Sequence, residues 1–275
     1  MATTRPDAAR PDPAELLEIA CAVVRPAARQ VQRMRDQARG GVTTKTTETD
    51  VVTAADRAVE RQIVAELRQR RPRDAVLGEE YGQGPPGDGV VRWVLDPIDG
   101  TVNYLYGLPW YAVSLAAEMD GRAVAGVVHN PVTGQEWTAV AGQGAWRDGV
   151  RLAGSAETRL SQALVATGFS YDPARRAHQA AVVAALLPEV RDIRRLGAAS
   201  LDLCLVADGT MDAYFEQGLN PWDHAAGGLV AAEAGLTVAG LAGAPAGSQM
   251  LVAAPPALFP ALHDRLVALD AAGGP

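Results

Sequence analysis

Four acidic residues, Glu79, Asp96, Asp99 and Asp223, stand where short apolar runs end or where helices are expected to begin. Loops at such places gather functional groups, because a rigid strand or helix aims them. In Asp96-Pro97-Ile98-Asp99-Gly100-Thr101 the proline fixes φ and is expected to stop the preceding strand, while the glycine permits a tight turn. Around such a turn the two aspartates can converge on one point, with the Ile98 carbonyl between them. Several oxygens, some charged and some from the backbone, are what hard divalent cations take. Each acid taken singly has a plainer role open to it: Asp99 before Gly100 suits a turn, and Asp223 suits an N-cap.

These acids need elements to carry them. The run PAELLEIACAVVRPAARQVQRMR predicts a helix with Pro13 in its first turn and a bend at Pro26. A second helix is expected over 54–71, with Ala58, Ile63, Val64 and Leu67 on one face. Residues 75–77 read as a short buried strand leading into Gly78-Glu79-Glu80, and 90–95 as a strand leading into Asp96. Further strands are expected at 112–119, 123–129, 136–140 and 150–152. Gly82 to Gly89, GQGPPGDG, has the spacing of a dinucleotide loop, but two prolines lie in it and no helix follows. It reads as a mobile surface loop.

The second half alternates. Strands are expected at 164–167, 192–195, 211–215 and 250–253, and helices at 174–187, 198–206, 223–234 and 257–269. The fold class is α/β, with an α+β N-terminal half over 13–152 and an α/β C-terminal half over 153–275. The first half carries most of the acids and the second carries Asp223, with no linker or internal repeat between them.

With 275 residues, 48% hydrophobic and 21% charged, the chain can bury a sizeable core and is no disordered polymer. A net charge of −7 argues against binding nucleic acid or a membrane surface. An acidic protein repels an anionic substrate unless a cation mediates, and the clustered acids offer a place for one. Cys21 and Cys204 form no CxxC pair, so free buried thiols are expected rather than a zinc or redox site. Residues 1–12, MATTRPDAARPD, lack an apolar core and read as a disordered tail rather than a signal peptide. With no run of membrane-spanning length, a soluble cytoplasmic protein is expected.

Two known phosphatase families invite comparison. Haloacid dehalogenase-type phosphatases also carry an acidic motif ending in Gly-Thr, but their second aspartate comes two positions after the first, where this chain has Ile98. Their motif also lies near the N-terminus, whereas this one lies a third of the way along. The second comparison holds better. Gly78-Glu79-Glu80, then WVLDPIDGTVNY from Trp93 to Tyr104, then EQGLNPWDHAAG from Glu216 to Gly227 resemble the signatures of the inositol monophosphatase family. The stretch from Lys45 through Asp50, Thr53 to Asp56, and RRLGAAS from Arg194 to Ser200 are similar to it too, in order along nearly the whole chain.

That resemblance implies a layered αβαβα sandwich of the inositol monophosphatase and fructose-1,6-bisphosphatase type, with its site between the two halves. Metal ligands would be Glu79, Asp96, the Ile98 carbonyl, Asp99 and Asp223, holding roughly two or three magnesium ions. Water would be activated on the Glu79 side, with Thr101 oriented by Asp56 to position it. Substrate contacts would come from Asp99, Gly100, Thr101, Gly197, Ala198, Ala199, Glu216 and Asp223. Gly100 and Thr101 open a helix-like run whose N–H groups can hold phosphate. Glu216 would accept from substrate hydroxyls, its plain alternative being a solvated turn charge. Gly197 to Ala199 equally suit a plain helix start, and Arg194 and Arg195 suit substrate, a partner subunit or solvent. Lys45 suits anion approach or solvent, His224 a helix-capping position or one behind Asp223 with a ligand role also open, and Trp93 and Trp222 core packing.

The function expected is magnesium-dependent hydrolysis of inositol 1-phosphate. Histidinol phosphate is the alternative, and fructose 1,6-bisphosphate or 3′-phosphoadenosine 5′-phosphate come after it. A reading of another class is a module that senses a phosphorylated metabolite without turning it over, against which the complete acid set argues. Partners would be a small phosphorylated polyol or amino-alcohol, with no nucleic acid and no membrane. The resemblance further implies a homodimer and inhibition by lithium.

Overall fold

The computed structural model describes residues 10–35, 54–84, 87 and 89–274, together with the backbone of 43–44 and 51–52. Residues 1–9, Lys45, Asp50, Thr53 and Pro85, Pro86 and Asp88 of the glycine-rich loop lie outside the described residues. Helix α1 (Pro13–Met34) starts where Asp12 accepts the Ala14 N–H at 3.0 Å, with Pro13 in the position that needs no N–H. It continues as one helix through Pro26. The lost backbone bond costs about 3 kcal/mol. Burial of Leu16, Ala20, Val23, Val24, Ala27 and Val31 on the inner stripe outweighs it.

Helix α2 (Ala54–Arg70) departs from its expected face: Ile63 and Leu67 are buried, but Ala58 and Val64 are only half-buried. The stripe that faces inward is Ala55, Asp56, Val59, Glu60, Ile63 and Leu67. Two acids thus lie on the apolar side. Both serve the site described below.

A short antiparallel pair, β1 (Thr43–Thr44) and β2 (Val51–Val52), lies between these helices in sequence. The larger sheet holds β3 (Ala75–Gly78), β4 (Gly82–Gln83), β5 (Val91–Asp99), β6 (Ala112–Met119), β7 (Arg122–His129), β8 (Glu136–Val140), β9 (Gly144–Arg147) and β10 (Val150–Arg151). Their order is β10-β9-β8-β7-β6-β5-β3-β4. Only β3 and β5 run parallel, with Gly78 opposite Leu95. Their ends therefore leave the sheet together, and Glu79 comes beside Asp96.

Pro97 does not stop β5, contrary to expectation. The strand runs to Asp99 with a register shift between Asp96, opposite Ser114, and Asp99, opposite Ala112. A bulge leaves one residue outside the ladder, which is where a proline without an N–H fits. The loop expected from Gly82 likewise begins as a strand, β4, on the sheet edge. The short helix α3 (Thr101–Tyr106) follows β5 directly.

The second sheet, in the order β12-β11-β13-β15-β14, consists of β11 (Leu164–Thr167), β12 (Asp192–Arg194), β13 (Ala213–Glu216), β14 (Thr237–Ala239) and β15 (Leu251–Ala254). Strand β11 is parallel to both β12 and β13. Helices α4 (Pro173–Leu186), α5 (Ala199–Ala207), α6 (Pro221–Glu233) and α7 (Phe259–Ala268) complete the chain. Strands β9 and β14 were not expected. Both are short and carry weak alternation.

Three apolar clusters define the layers. The inner stripe of α1 and α2 packs on Trp93, Leu95, Val113, Leu115 and Val127, one face of the first sheet. Val94, Ala116, Val128 and Trp137, from the opposite face, pack on α5 and α6, which also meet Ala166, Tyr214 and Ala253 of the second sheet. The far side of that sheet, with Val165, Phe215 and Val252, takes Val182, Leu186, Leu262 and Leu266 of α4 and α7. The sequence of layers is helices, sheet, helices, sheet, helices. Strand β6 is buried along its whole length, as a strand covered on both faces must be. Helix α6 sits close to both neighbours: a Cβ on Gly227 would lie 2.8 Å from the Ser200 carbonyl of α5, and one on Gly126 of β7 would lie 3.1 Å from Ala226 Cα.

Candidate active site

The ends of β3, β5 and β13, the first turn of α6 and the entry to α5 meet around a cleft of about 420 Å³. Glu79, Asp96, Ile98, Asp99, Gly100, Thr101, Gly197, Ala199, Glu216 and Asp223 all line it. Asp56 and Ala198 do not; Asp56 lies fully buried behind Thr101, and Ala198 is buried at the start of α5.

Each aspartate is oriented by a backbone N–H. Asp96 Oδ1 accepts from Ile98 N at 3.0 Å. Asp99 Oδ2 accepts from Ser200 N at 2.8 Å and from Ser200 Oγ at 2.5 Å, a tie between the end of β5 and helix α5. The helix start at 197–199 is thereby turned toward Asp99. Asp223 Oδ2 accepts from Asn220 N at 2.6 Å. The N-cap of α6 is Asn220, so Asp223 stands in the first turn and not at the cap. Its capping bond and its place in the cleft coexist.

Two buried acids on α2 stand behind these groups. Thr101 Oγ1 lies 3.2 Å from Asp56 Oδ1 and 3.1 Å from the Ile98 carbonyl. Glu60 accepts from Glu80 N at 2.9 Å and Tyr81 N at 3.1 Å, which holds the turn that bears Glu79. A Cβ on Gly78 would sit 2.1 Å from Glu60 Oε1, so a side chain there would displace the Glu60 carboxylate. Sequence reasoning missed Glu60. The available signal was its place four residues after Asp56, on the stripe that holds Ile63.

Burial and the carboxylates' repulsion set the electrostatics. Burial, then Glu79, Asp99 and Asp223, push Asp96 well above the usual carboxylate range. Burial and then Asp99 do the same to Asp223. Asp99 rises to about 6 through burial, held back by its bonds from Ser200. Glu216 rises to about 7 by burial, opposed by the Tyr214 hydroxyl, which donates to Glu216 Oε2 at 2.5 Å, and by Arg195. Among the described residues no three His, Cys, Asp or Glu side chains stand close enough together to hold a metal ion as they are.

The two arginines left open by sequence separate. Arg195 lines the cleft, whereas Arg194 pairs with Asp192 on the surface at 2.6 Å. Trp93 is fully buried with its Nε1 on Asp74, but Trp222 lines the cleft as well as packing beside it. Burial lowers the His224 pKa, and His224 is outside the cleft lining. Cys21 and Cys204 are free and buried, with Cys21 pushed up to about 11 by burial. The loop from Gly168 to Tyr171 and the loop from Gln217 to Asn220 form the remaining wall. Neither carries an acid pattern that sequence reasoning could single out.

Residues 12–270 match the inositol monophosphatase family. The inositol-1-monophosphatase of Mycobacterium leprae is 50% identical over 234 residues, covering 81% of this chain and 80% of that protein. The Nus factor SuhB of Escherichia coli K12 is 42% identical over 195 residues, 70% of this chain and 73% of that one. Among solved structures, Mycobacterium tuberculosis SuhB superposes with a TM-score of 0.82 at 38% identity, covering 96% of this chain and all of that one, 100%. Fold and relatives together define a phosphoric monoester hydrolase built as an αβαβα sandwich. The chain belongs to the inositol monophosphatase family. No helix among the described residues is long and apolar enough to cross a membrane.

Proposed function

We propose that the chain hydrolyses a small phosphate monoester, inositol 1-phosphate in the first place, by attack of water in a magnesium-dependent reaction. The observation that carries this reading is the convergence of Glu79, Asp96, Ile98, Asp99, Thr101 and Asp223 on one cleft beside Glu216. The donor set is all oxygen, charged and carbonyl, without thiolate or imidazole, and that suits a hard dication. The buried acids raise one another's pKa, a repulsion that a cation among them would relieve.

In this reading Glu79, Asp96 and the Ile98 carbonyl hold one magnesium, and Asp96, Asp99 and Asp223 a second. Bound there, magnesium would supply the positive charge that steadies a phosphate dianion and its leaving oxygen and makes water more acidic. The chain's own groups do the rest. The single Thr101 hydroxyl proton goes to Asp56 or to the Ile98 carbonyl, both within reach. Its lone pairs then accept from the attacking water and fix its approach. The N–H groups of Gly100 and Thr101 face the phosphate, and Glu216 accepts from substrate hydroxyls. The halves 13–152 and 153–275 meet at this site.

Phosphate release at fixed magnesium from inositol 1-phosphate, histidinol phosphate, fructose 1,6-bisphosphate and 3′-phosphoadenosine 5′-phosphate tests the reading. Inositol 1-phosphate is expected to have the highest kcat/KM, and EDTA to abolish release. A large preference for histidinol phosphate would replace the substrate and keep the chemistry. No release from any of them would leave a sensing module. A homodimer, a cytoplasmic location and lithium competition at one magnesium position belong to the same proposal. Lithium inhibition should vary with magnesium, and light scattering should give twice the chain mass.

A further inference from the structure

The two loops that form the substrate wall of the cleft are joined from behind by a pair of glutamine side chains. Parallel pairing sets Thr167 opposite Phe215, so the loops after β11 and β13 leave the same sheet edge side by side. Gln179 of α4, 7% exposed, spans them. Its Oε1 accepts from Ser170 N at 2.8 Å, and its Nε2 lies 3.5 Å from the Gln217 carbonyl. Gln217, 9% exposed, donates through Nε2 to the carbonyls of Ala272 and Gly273 at 2.9 and 3.1 Å. One residue before Gln179, His178 Nε2 meets the Asp270 carbonyl at 2.8 Å. Loop, helix, strand end and the turn after α7 are thus stitched together by side-chain amides.

Gln179 lies on the buried side of α4 with Val182 and Leu186. An amide buried there without bonds would be destabilising, and a leucine would pack without that cost. The amide's distinctive effect is therefore what its two ends hold in place. What they hold is close to Glu216: a Cβ on Gly168 would sit 1.9 Å from Glu216 Oε2, so the loop after β11 lies directly against that carboxylate. A shift of the Ser170 loop relative to the Gln217 backbone moves the surface on which Glu216 rests. Behind the pair, a cavity of about 10 Å³ lined by Gln179 and Gln217 has room for about one water. Gln217 Oε1 is buried with no partner among the described residues.

We propose that Gln179 is a positioning residue for substrate recognition, locking the Ser170 loop to the Gln217 backbone and so fixing Glu216. The inference rests on the reading of Glu216 as the acceptor of substrate hydroxyls. Its test uses Gln179→Leu and Gln179→Glu in the full chain, with three measurements: amide hydrogen exchange at 168–172, thermal midpoint, and KM and kcat on inositol 1-phosphate and 4-nitrophenyl phosphate. In Gln179→Leu the Ser170 amide should exchange about tenfold faster. KM for inositol 1-phosphate should rise about fivefold to tenfold, with kcat changed less than about twofold. The constants for 4-nitrophenyl phosphate, which has no hydroxyl for Glu216, should stay unchanged. Gln179→Glu keeps the acceptor for Ser170 N but loses the donor to the Gln217 carbonyl, so it should retain slow exchange at Ser170 while KM for inositol 1-phosphate still rises. Unchanged exchange at Ser170 in Gln179→Leu, or equal losses on both substrates, would overturn the proposal. If wild-type protein turned over neither ester, the functional reading would fall, and the exchange comparison alone would still decide whether Gln179 locks the loop.

Discussion

At the scale of single residues, the site holds three aspartates each tied to a backbone N–H, with Glu79 and Glu216 beside them. Asp99 bridges the halves through Ser200, and an asparagine can keep that acceptor while losing the charge. Asp99→Asn should therefore fold normally, with a thermal midpoint within a few degrees of wild type, and lose phosphate release by about 10²-fold or more. Near-normal turnover at saturating magnesium would remove Asp99 from the metal set. Asp56 differs, because it touches Thr101 and not the cleft. Asp56→Asn should lower kcat by about 10²-fold while leaving KM near wild type, since it acts on the water's orientation and not on substrate binding. A rise in KM with kcat intact would contradict that role.

At the scale of elements, one close approach between helices supports the cleft and one ion-pair cluster fastens the outer helix layer. Helices α5 and α6 carry Ser200 and Asp223, and Gly227 lets them meet. Gly227→Val should destabilise the protein by about 2 kcal/mol or more through overpacking, seen as a lower denaturation midpoint in urea. Helix α1 is fastened to β8 by Arg25, whose Nη2 lies 2.7 Å from Glu136 Oε1, with His129 3.1 Å from the other oxygen. Burial alone would raise the Glu136 carboxyl, but His129 and Arg25 outweigh it and hold its pKa at about 2, below the ordinary 4.5. A depressed folded-state pKa gives stability that is present above 4.5 and lost as pH falls from 4.5 toward 2. Glu136→Gln should thus be less stable than wild type at neutral pH, and the gap should narrow steadily below pH about 4.5 in thermal melts. A gap independent of pH would refute the coupling.

At the scale of the whole molecule, the acids from β3, β5 and α6 reach one cleft only because layers from both halves close over it. Ligand linkage follows: magnesium should raise the thermal midpoint in a concentration-dependent way, by about 2.7 kcal/mol of stability at a hundredfold excess over Kd. Asp223→Asn should blunt that rise. Much of this was legible beforehand. The strand-end acids and the turn glycine marked the cleft, and the alternating second half marked the layers. What was not legible depends on tertiary context. Pro97 reads locally as a stop, yet a bulge absorbs it within β5. Asp56 is marked only through the resemblance, and Glu60 reads as a surface charge on α2 until the fold turns their stripe inward. Ala198 reads as a contact, yet it is buried beneath the α5 entry. Gln179 and Gln217 carry no pattern at all, because their partners lie on other elements. The central claim is that these distant acids share cations, and an anomalous difference map from crystals grown with manganese tests it most directly. The account predicts peaks in the cleft about 2.0–2.3 Å from oxygens of Glu79, Asp96, Ile98, Asp99 and Asp223. A map with no peak there, or with manganese bound only elsewhere, would contradict it.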